Sequence, residues 1–547
     1  MKKCFTFLLF LIIFQYANAQ ADYFQQEVNT RIEVTLNDST HMLEGSIEMD
    51  YVNNSPDELT EIYIHLWANA YRNRNTAFAK QKNNQGSGEF YFAKPNELGR
   101  FKKLNFTVDN NTVEWAYHKK QIDIAVLKLL NPLKSGDRIT IKTPLNLKIP
   151  SSFSRLGHVG ESYQLTQWFP KPAVYDKDGW HPMSYVDMGE FYSEFGSYDV
   201  KITLPENYIV GATGELQDES EKQFLMKRVN ETSQILAETG EKEWRFKKDT
   251  FPLSSPNMKT LHYKAEKVHD FAWFADKRFY VQKSEVTLRS GKKIDTWVMF
   301  NNAEAELWRK GIFYVDRSVK FYSEHVGEYP YPQATAVQSA LSAGGGMEYP
   351  MITVIGLMGN AQALDGVITH EVGHNWFYGI LAFNERDNVW MDEGMNSYYD
   401  HRYTEQYYGA DNTEFLPEFM MKGTDYGLLE LAYLYQARRN LDQAPATHSE
   451  EYSRINYFLG GYEKPAVSFK ILEKYLGTAA FDVIMKSFYE NWKFKHPGPK
   501  EFRAHVEART DKDLDWFFDG LIDSNEKTDY AFKGLKSGDD LTLKIKN

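Results

Sequence analysis

His370-Glu371-Val372-Gly373-His374, followed after eighteen intervening residues by Glu393, is the stretch on which the reading of this chain turns. On an α-helix, residues four apart lie on nearly the same side, so His370 and His374 can aim two imidazole nitrogens at one point. Glu371 falls on a neighbouring arc, where it is badly placed to ligate the same ion but well placed to take a proton from a water beside it. A third ligand has to come from elsewhere. The interval 375–392 contains the polar, turn-like run Asn384-Glu385-Arg386-Asp387-Asn388, which lets the chain reverse into a second helix and bring in Glu393 from Trp390-Met391-Asp392-Glu393-Gly394. Two histidines and one carboxylate leave a coordination position open for water, the arrangement of a catalytic rather than a structural zinc ion. One Zn2+ is therefore expected, with Glu371 as general base. Asp400 lies seven residues beyond Glu393, two helical turns on and on the same face. There it can accept the free ring N–H of a ligating histidine, unless it is simply a solvated helix acid. With 14 His in 547 residues, chance produces a His-Glu-x-x-His on the order of one time in thirty, and the prescribed Glu393 lowers that roughly tenfold.

Outward from this motif the period of the sequence changes. Upstream, from about 28 to 290, apolar and polar residues alternate, as in Arg31-Ile32-Glu33-Val34-Thr35-Leu36, Glu61-Ile62-Tyr63-Ile64-His65-Leu66 and Tyr198-Asp199-Val200-Lys201-Ile202-Thr203-Leu204. Period two denotes half-buried strands. Turn clusters such as Asn53-Asn54-Ser55-Pro56-Asp57 separate them, so this half reads as an antiparallel β domain. The Asn/Gly/Gln-rich stretch 81–97 reads as an exposed loop. After about 300 the period is helical. Asn302 can cap a helix in which Leu307, Tyr314, Val315, Val319 and Tyr322 fall largely on one face, and a helix over 466–476 ends at Gly477. Met351-Ile352-Thr353-Val354-Ile355 reads as a short strand, and 502–521 as a helix. Asp540 to Lys546 reads as a strand that either pairs backward or begins a further β domain. The expected division is 1–19 leader, 20–290 β domain, 291–530 catalytic domain and 531–547 a short terminal segment, giving a multidomain α+β protein.

A chain of this length with 42% hydrophobic residues can bury more than one core. Lys2-Lys3, an apolar run from Cys4 to Phe14, and Ala17-Asn18-Ala19 have the order of a cleavable secretory signal; the run is too short to span a bilayer. Export to the periplasm or the exterior is expected, with no membrane span once the leader is removed. Cys4, the only cysteine, lies within that leader, so the ligands of any metal must be His and carboxylate. Loss of the leader takes the formal charge from −12 to −14, because Lys2 and Lys3 go with it and no acid does. Such a surface favours solubility and argues against nucleic-acid binding.

Around the zinc motif the chain resembles the aminopeptidase N and leukotriene hydrolase family of gluzincins, which keeps the same interval before an Asn-Glu-Gly-like element. Gly345-Gly346-Met347-Glu348-Tyr349 is similar to that family's Gly-Ala/Gly-Met-Glu-Asn strand. Tyr462-Glu463-Lys464 resembles its Tyr-Glu-Lys-Gly, and Gln167-Trp168-Phe169-Pro170 resembles the segment by which its β domain reaches the substrate. The resemblance runs from about residue 28 to 530. It implies a saddle-shaped N-terminal β domain followed by a thermolysin-like, mostly helical catalytic domain. It further implies peptide substrates with a free N-terminus, bound along Gly345, Gly346 and Met347, with Glu348 pairing with the cationic amine and Gln167, or Gln164, touching substrate. Tyr462 would donate to the carbonyl oxygen as negative charge develops there, a contribution of about 3 kcal/mol for comparable donors. Two positions depart from the pattern: Tyr349 stands for Asn, and Pro465 for Gly. Few residues remain for the helical C-terminal domain that closes the cleft in larger members.

Rival readings follow from those departures. A gluzincin endopeptidase or oligopeptidase would cleave N-blocked peptides as readily as free ones. Epoxide hydrolysis, known for one branch of the family, would need a lipid tunnel that nothing in the sequence indicates. A non-catalytic binding protein on the same scaffold predicts a lost ligand or base, whereas His370, Glu371, His374 and Glu393 are all present.

Overall fold

Period-two alternation in the first half becomes a nine-stranded sheet. In β1 (Glu27–Asn37) every second residue is buried, Ile32, Val34 and Leu36 inward and Arg31, Glu33 and Thr35 outward. β1 pairs antiparallel with β2 (Met42–Val52), register Ile32↔Ile47, and β2 pairs antiparallel with β3 (Arg138–Lys148), Ile47↔Thr143. The expected antiparallel sheet has one exception. β1 pairs in parallel with the strand Gly196–Pro205, Thr30↔Tyr198, which in turn pairs antiparallel with Met258–Val268. This computed structural model describes residues 23–238, 250–338, 345–409, 428–527, 531–537 and 541–546; the expected leader lies outside them. Among the described residues no helix is long and apolar enough to cross a membrane.

The expected loop over 81–97 is partly helical. Thr76 caps α1 (Ala77–Asn84) by accepting from the Ala79 N–H, and Phe90 is buried against Phe78 and Phe153, with ring centroids 5.0 Å apart in each case. Polar composition hid a cap and an aromatic anchor.

Two compact units make up the chain: residues up to 187 with 191–382 and 492–496, and residues 188–190 with 383–491 and 497–547. Besides the nine-stranded sheet, the first unit holds a short strand β4 (Ser162–Leu165) whose residues are all buried, and a five-stranded mixed sheet. That sheet begins with β5 (Tyr280–Thr287) and β6 (Lys293–Phe300), antiparallel through Tyr280↔Phe300, so strand pairing crosses residue 290. β7 (Gln333–Gln338), β8 (Gly346–Tyr349) and β9 (Ile352–Ile355) complete it in the order β5-β6-β7-β9-β8. The parallel β6–β7 pair requires a crossover, and α2 (Gly311–His325) supplies it, burying Tyr314, Val315, Val319 and Tyr322 as the helical period predicts. The cap differs from expectation. Asn301 rather than Asn302 accepts from the Ala303 N–H, and a short 3-10 turn precedes the helix. α3 (Ala361–Phe377) carries the zinc motif and is buried on nearly all sides.

In the second unit lie α4 (Met395–Tyr408), α5 (Lys464–Leu476), which ends at Gly477 with φ 91° as the sequence indicates, and α6 (Pro499–Glu507). The helix expected over 502–521 stops at Glu507 and resumes as a π-helical turn at Trp516–Ile522. Thr510-Asp511-Lys512-Asp513 interrupts it, since short polar side chains compete for backbone hydrogen bonds. The terminal strand pairs backward: β10 (Ala531–Ser537) and β11 (Leu541–Lys546) form a hairpin, Ser537↔Leu541.

Within the first unit, His269 is 1% exposed and its Nε2 lies 3.1 Å from the Tyr378 carbonyl oxygen. Burial, with Lys171 nearby, lowers its pKa from 6.5 to about 3. Between those values the unfolded chain binds a proton that the folded chain refuses, so stability falls as pH falls, by up to about 1.4 kcal/mol per pH unit from this group. Urea unfolding of the wild type and of His269→Gln across pH 7 to 4 should show this component in the wild type only.

Candidate metal centre

α3 starts where Asn360 accepts from the Ala363 N–H at 2.8 Å, and its position is fixed from three sides. Asp365, fully buried, pairs with Arg317 of α2, and Thr369 Oγ1 meets Ser318 Oγ at 2.8 Å. Past the motif, Asn375 Oδ1 accepts from the Met351 N–H at 2.9 Å and from the Tyr329 hydroxyl at 3.2 Å. Met351, at φ 64°, forms the turn between β8 and β9. Asn375 therefore ties the helix to the strand that faces it, a role the sequence reading missed. Its signal is a carboxamide directly after the second histidine, in a helix otherwise apolar there.

Held in this way, His370 and His374 bring their Nε2 atoms to 3.1 Å, with the rings perpendicular. Two nitrogens on one tetrahedral zinc at about 2.0–2.1 Å lie roughly 3.3 Å apart, so the pair fits such an ion. His374 is 1% exposed and His370 is half-buried. Glu371, 5% exposed, lays its carboxylate against Gly346 of β8: a Cβ at Gly346 would sit 2.3 Å from Oε1 and 2.6 Å from Cδ. No positive φ is involved. The glycine is needed for close approach.

Residues two apart on a strand share a face, so Glu348, 4% exposed, stands on the same face of β8 as the point where Glu371 rests. Met347 and Tyr349 take the opposite face. Met347 Sδ accepts from Arg155 Nε at 2.9 Å, and the Tyr349 hydroxyl donates to Gln167 Oε1 at 3.1 Å. The structure thus brings Gln167 to the Gly345–Tyr349 segment. Gln164, on β4, is buried at 2% exposure, and Gly345 is exposed at the start of β8.

In the second unit, Glu393 sits in a π-helical turn, Trp390–Gly394, that runs into α4. Tyr462 sits in another, Leu459–Glu463, that runs into α5, and its hydroxyl donates to Glu393 in a short contact. Such turns occur frequently at functional sites. Burial, reinforced by the Glu393 carboxylate, pushes the Tyr462 pKa well above its ordinary value, so the phenol keeps its proton throughout the neutral range. Pro465, the departure from Gly, packs its ring on Gly394, where a Cβ would lie 2.5 Å from Pro465 Cγ. Asp400 is partly exposed on α4.

A β domain followed by a mixed sheet whose edge strand faces a His-Glu-x-x-His helix defines a gluzincin metallopeptidase fold. Residues 314–521 match the peptidase family M1 domain. A probable M1 family aminopeptidase 1 of Encephalitozoon cuniculi is 23% identical over 241 residues, 41% of this chain and 27% of that protein. Aminopeptidase M1-C of Oryza sativa subsp. japonica is 21% identical over 267 residues, 46% and 29% of the two chains. This chain thus spans less than a third of these relatives. Among solved structures, a variant M1 zinc metallopeptidase of Deinococcus radiodurans bound to a Tyr-Ser-Ala substrate shares the fold, with TM-score 0.57, 12% identity and coverage of 91% of this chain and 95% of that one. Aminopeptidase A of Legionella pneumophila, in complex with aspartic acid, gives TM-score 0.60 at 13% identity, covering 92% and 50%. Residues 314–521 thus correspond to the peptidase family M1 domain, and the fold is that of M1 zinc metallopeptidases.

Because Gly346 makes room for the Glu371 carboxylate, Gly346→Ala should displace it. Any hydrolysis in which Glu371 serves as the base should then fall at least a hundredfold, while zinc content measured by atomic absorption stays at the wild-type level.

Proposed function

We propose that the protein is an aminopeptidase that removes N-terminal residues from peptides, using one zinc ion held by His370, His374 and Glu393. The observation that carries this reading is the arrangement on β8 and α3: an acidic side chain, Glu348, on the same strand face against which the base Glu371 rests, beside two convergent imidazoles. The eighteen-residue interval to Glu393, and the match of 314–521 as one domain containing all four residues, support Glu393 as third ligand. When bound, zinc polarises the scissile carbonyl and acidifies a water molecule.

The remaining work falls to the chain. Glu348 pairs with the substrate's ammonium group, so the scissile bond lies one residue from the amino end. Glu371 takes the proton of the attacking water and delivers it to the departing amine. Tyr462, kept protonated, shifts its hydrogen bond from Glu393 toward the carbonyl oxygen as charge builds there. Asp400 orients a ligand histidine. Action outside the cytoplasm, in the periplasm or beyond, is part of the same proposal and is supported by the leader-like residues 1–19.

A panel of amino-acyl and N-blocked fluorogenic peptides, assayed with and without a chelator, tests the reading. Chelation should abolish turnover and added zinc restore it. Glu371→Gln should retain zinc and lose about 10²–10⁴ in kcat, and Tyr462→Phe should lose about 10²–10³. Glu348→Ala should raise KM for free-amine peptides roughly tenfold to a hundredfold, as loss of a charged hydrogen bond does, and leave N-blocked peptides little changed. Equal losses on both classes would instead make the enzyme an endopeptidase.

A further inference from the structure

Apart from the residues of the zinc motif, the second unit gathers another set of side chains able to hold a metal. His401 lies on α4, Glu430 on the helix Leu428–Arg438, and Glu463 at the end of the π-helical turn Leu459–Glu463. One ligand atom from each lies within 4.8 Å of the other two. The Glu463 side chain is 2% exposed, and its Oε1 accepts no hydrogen bond among the described residues. That oxygen faces His401 Nε2 at 3.6 Å. The separation is too long for a hydrogen bond and close to the roughly 3.4 Å between two ligands of one tetrahedral ion at about 2.1 Å. His401 and Glu430 keep some exposure, so an ion has a way in.

Two carboxylates beside one imidazole make the cluster attractive to positive charge. Burial opposes a charged ring at His401, yet the Glu463 carboxylate, with Glu430 and Asp400 further off, raises its pKa above the ordinary value. A proton on the ring balances one glutamate; a divalent ion balances both. Lys470 Nζ, also in the field of Glu430, is bonded to Glu405 at 2.7 Å. An imidazole joined by two carboxylates suits a first-row transition ion such as Zn2+, whereas Ca2+ and Mg2+ take oxygen ligands.

We propose that His401, Glu430 and Glu463 form a second divalent-metal site, sharing no ligand with the catalytic one, whose ion staples three segments of the second unit together. Glu463 directly follows Tyr462, and α4 continues from the turn that bears Glu393. An ion here therefore ties the two turns whose side chains meet in the Tyr462–Glu393 hydrogen bond. Its role is to hold that pair in place, not to meet substrate. The assignment goes beyond the aminopeptidase reading and does not depend on which peptides are cleaved.

Equilibrium dialysis of the zinc-loaded protein against micromolar Zn2+, with metal counted by atomic absorption, tests the site. The wild type should hold one ion per chain more than either His401→Gln or Glu430→Gln, each of which keeps its catalytic zinc. Zinc beyond the first equivalent should raise the wild-type melting midpoint by a few degrees and leave both variants unmoved. Glu430→Gln replaces a half-buried side chain by one of equal size, so it reports even if His401→Gln folds poorly. Equal metal content in all three proteins overturns the proposal and reduces His401 and Glu463 to an ion pair. A protein that binds the extra ion yet cleaves no free-amine peptide upholds this site and counts only against the aminopeptidase reading.

Discussion

Two imidazole nitrogens 3.1 Å apart in a protein interior are the constraint around which the first unit is arranged. The packing around α3 holds the two rings in place. The buried Asp365–Arg317 pair, the Ser318–Thr369 contact and the Asn375 bridge to Met351 and Tyr329 together fix the helix in rotation and in height. Fixing α3 also fixes how near Glu371 comes to β8, and that distance admits only hydrogen at Gly346. A preorganised site of this kind spends no energy on rearrangement at the moment of reaction.

The parts of this arrangement that were legible in the sequence are those governed by period. His370 and His374 announce themselves by a four-residue interval, and β1 and β2 by alternation, because in each case one face is buried and the other is not. α3 as a whole was less legible: it is enclosed on nearly all sides, so no polar stripe marks its boundaries, and only the chemistry of its motif reveals it. The errors elsewhere have separate causes. Polar residues in 81–97 concealed a capped helix anchored by Phe90, and the apolar period across 502–521 continued through a break imposed by Thr510 to Asp513. β10 was missed because its pairing shifts between Phe532 and Gly534, which disturbs the alternation that would have identified it.

Contacts between distant segments were not legible at all. That Asn375 reaches Met351, that Tyr349 reaches Gln167 across 182 positions, and that Gly346 is small for the sake of Glu371 are facts of tertiary neighbourhood. The motif resemblance brought Gln167 and Glu348 to notice as a pair on substrate grounds. The structure sets Glu348 on one face of β8 and brings Gln167 to Tyr349 on the other.

The ring of Pro465 resting on Gly394 has a consequence for how such sequences can change. A side chain at 394 would collide with the proline, and glycine at 465 would leave the space above 394 unfilled and free α5's first turn to move. The contact links two π-helical turns, one bearing Glu393 and the other Tyr462. The two residues, 71 apart in the chain, are thus coupled in one direction: with proline at 465, position 394 is held to glycine.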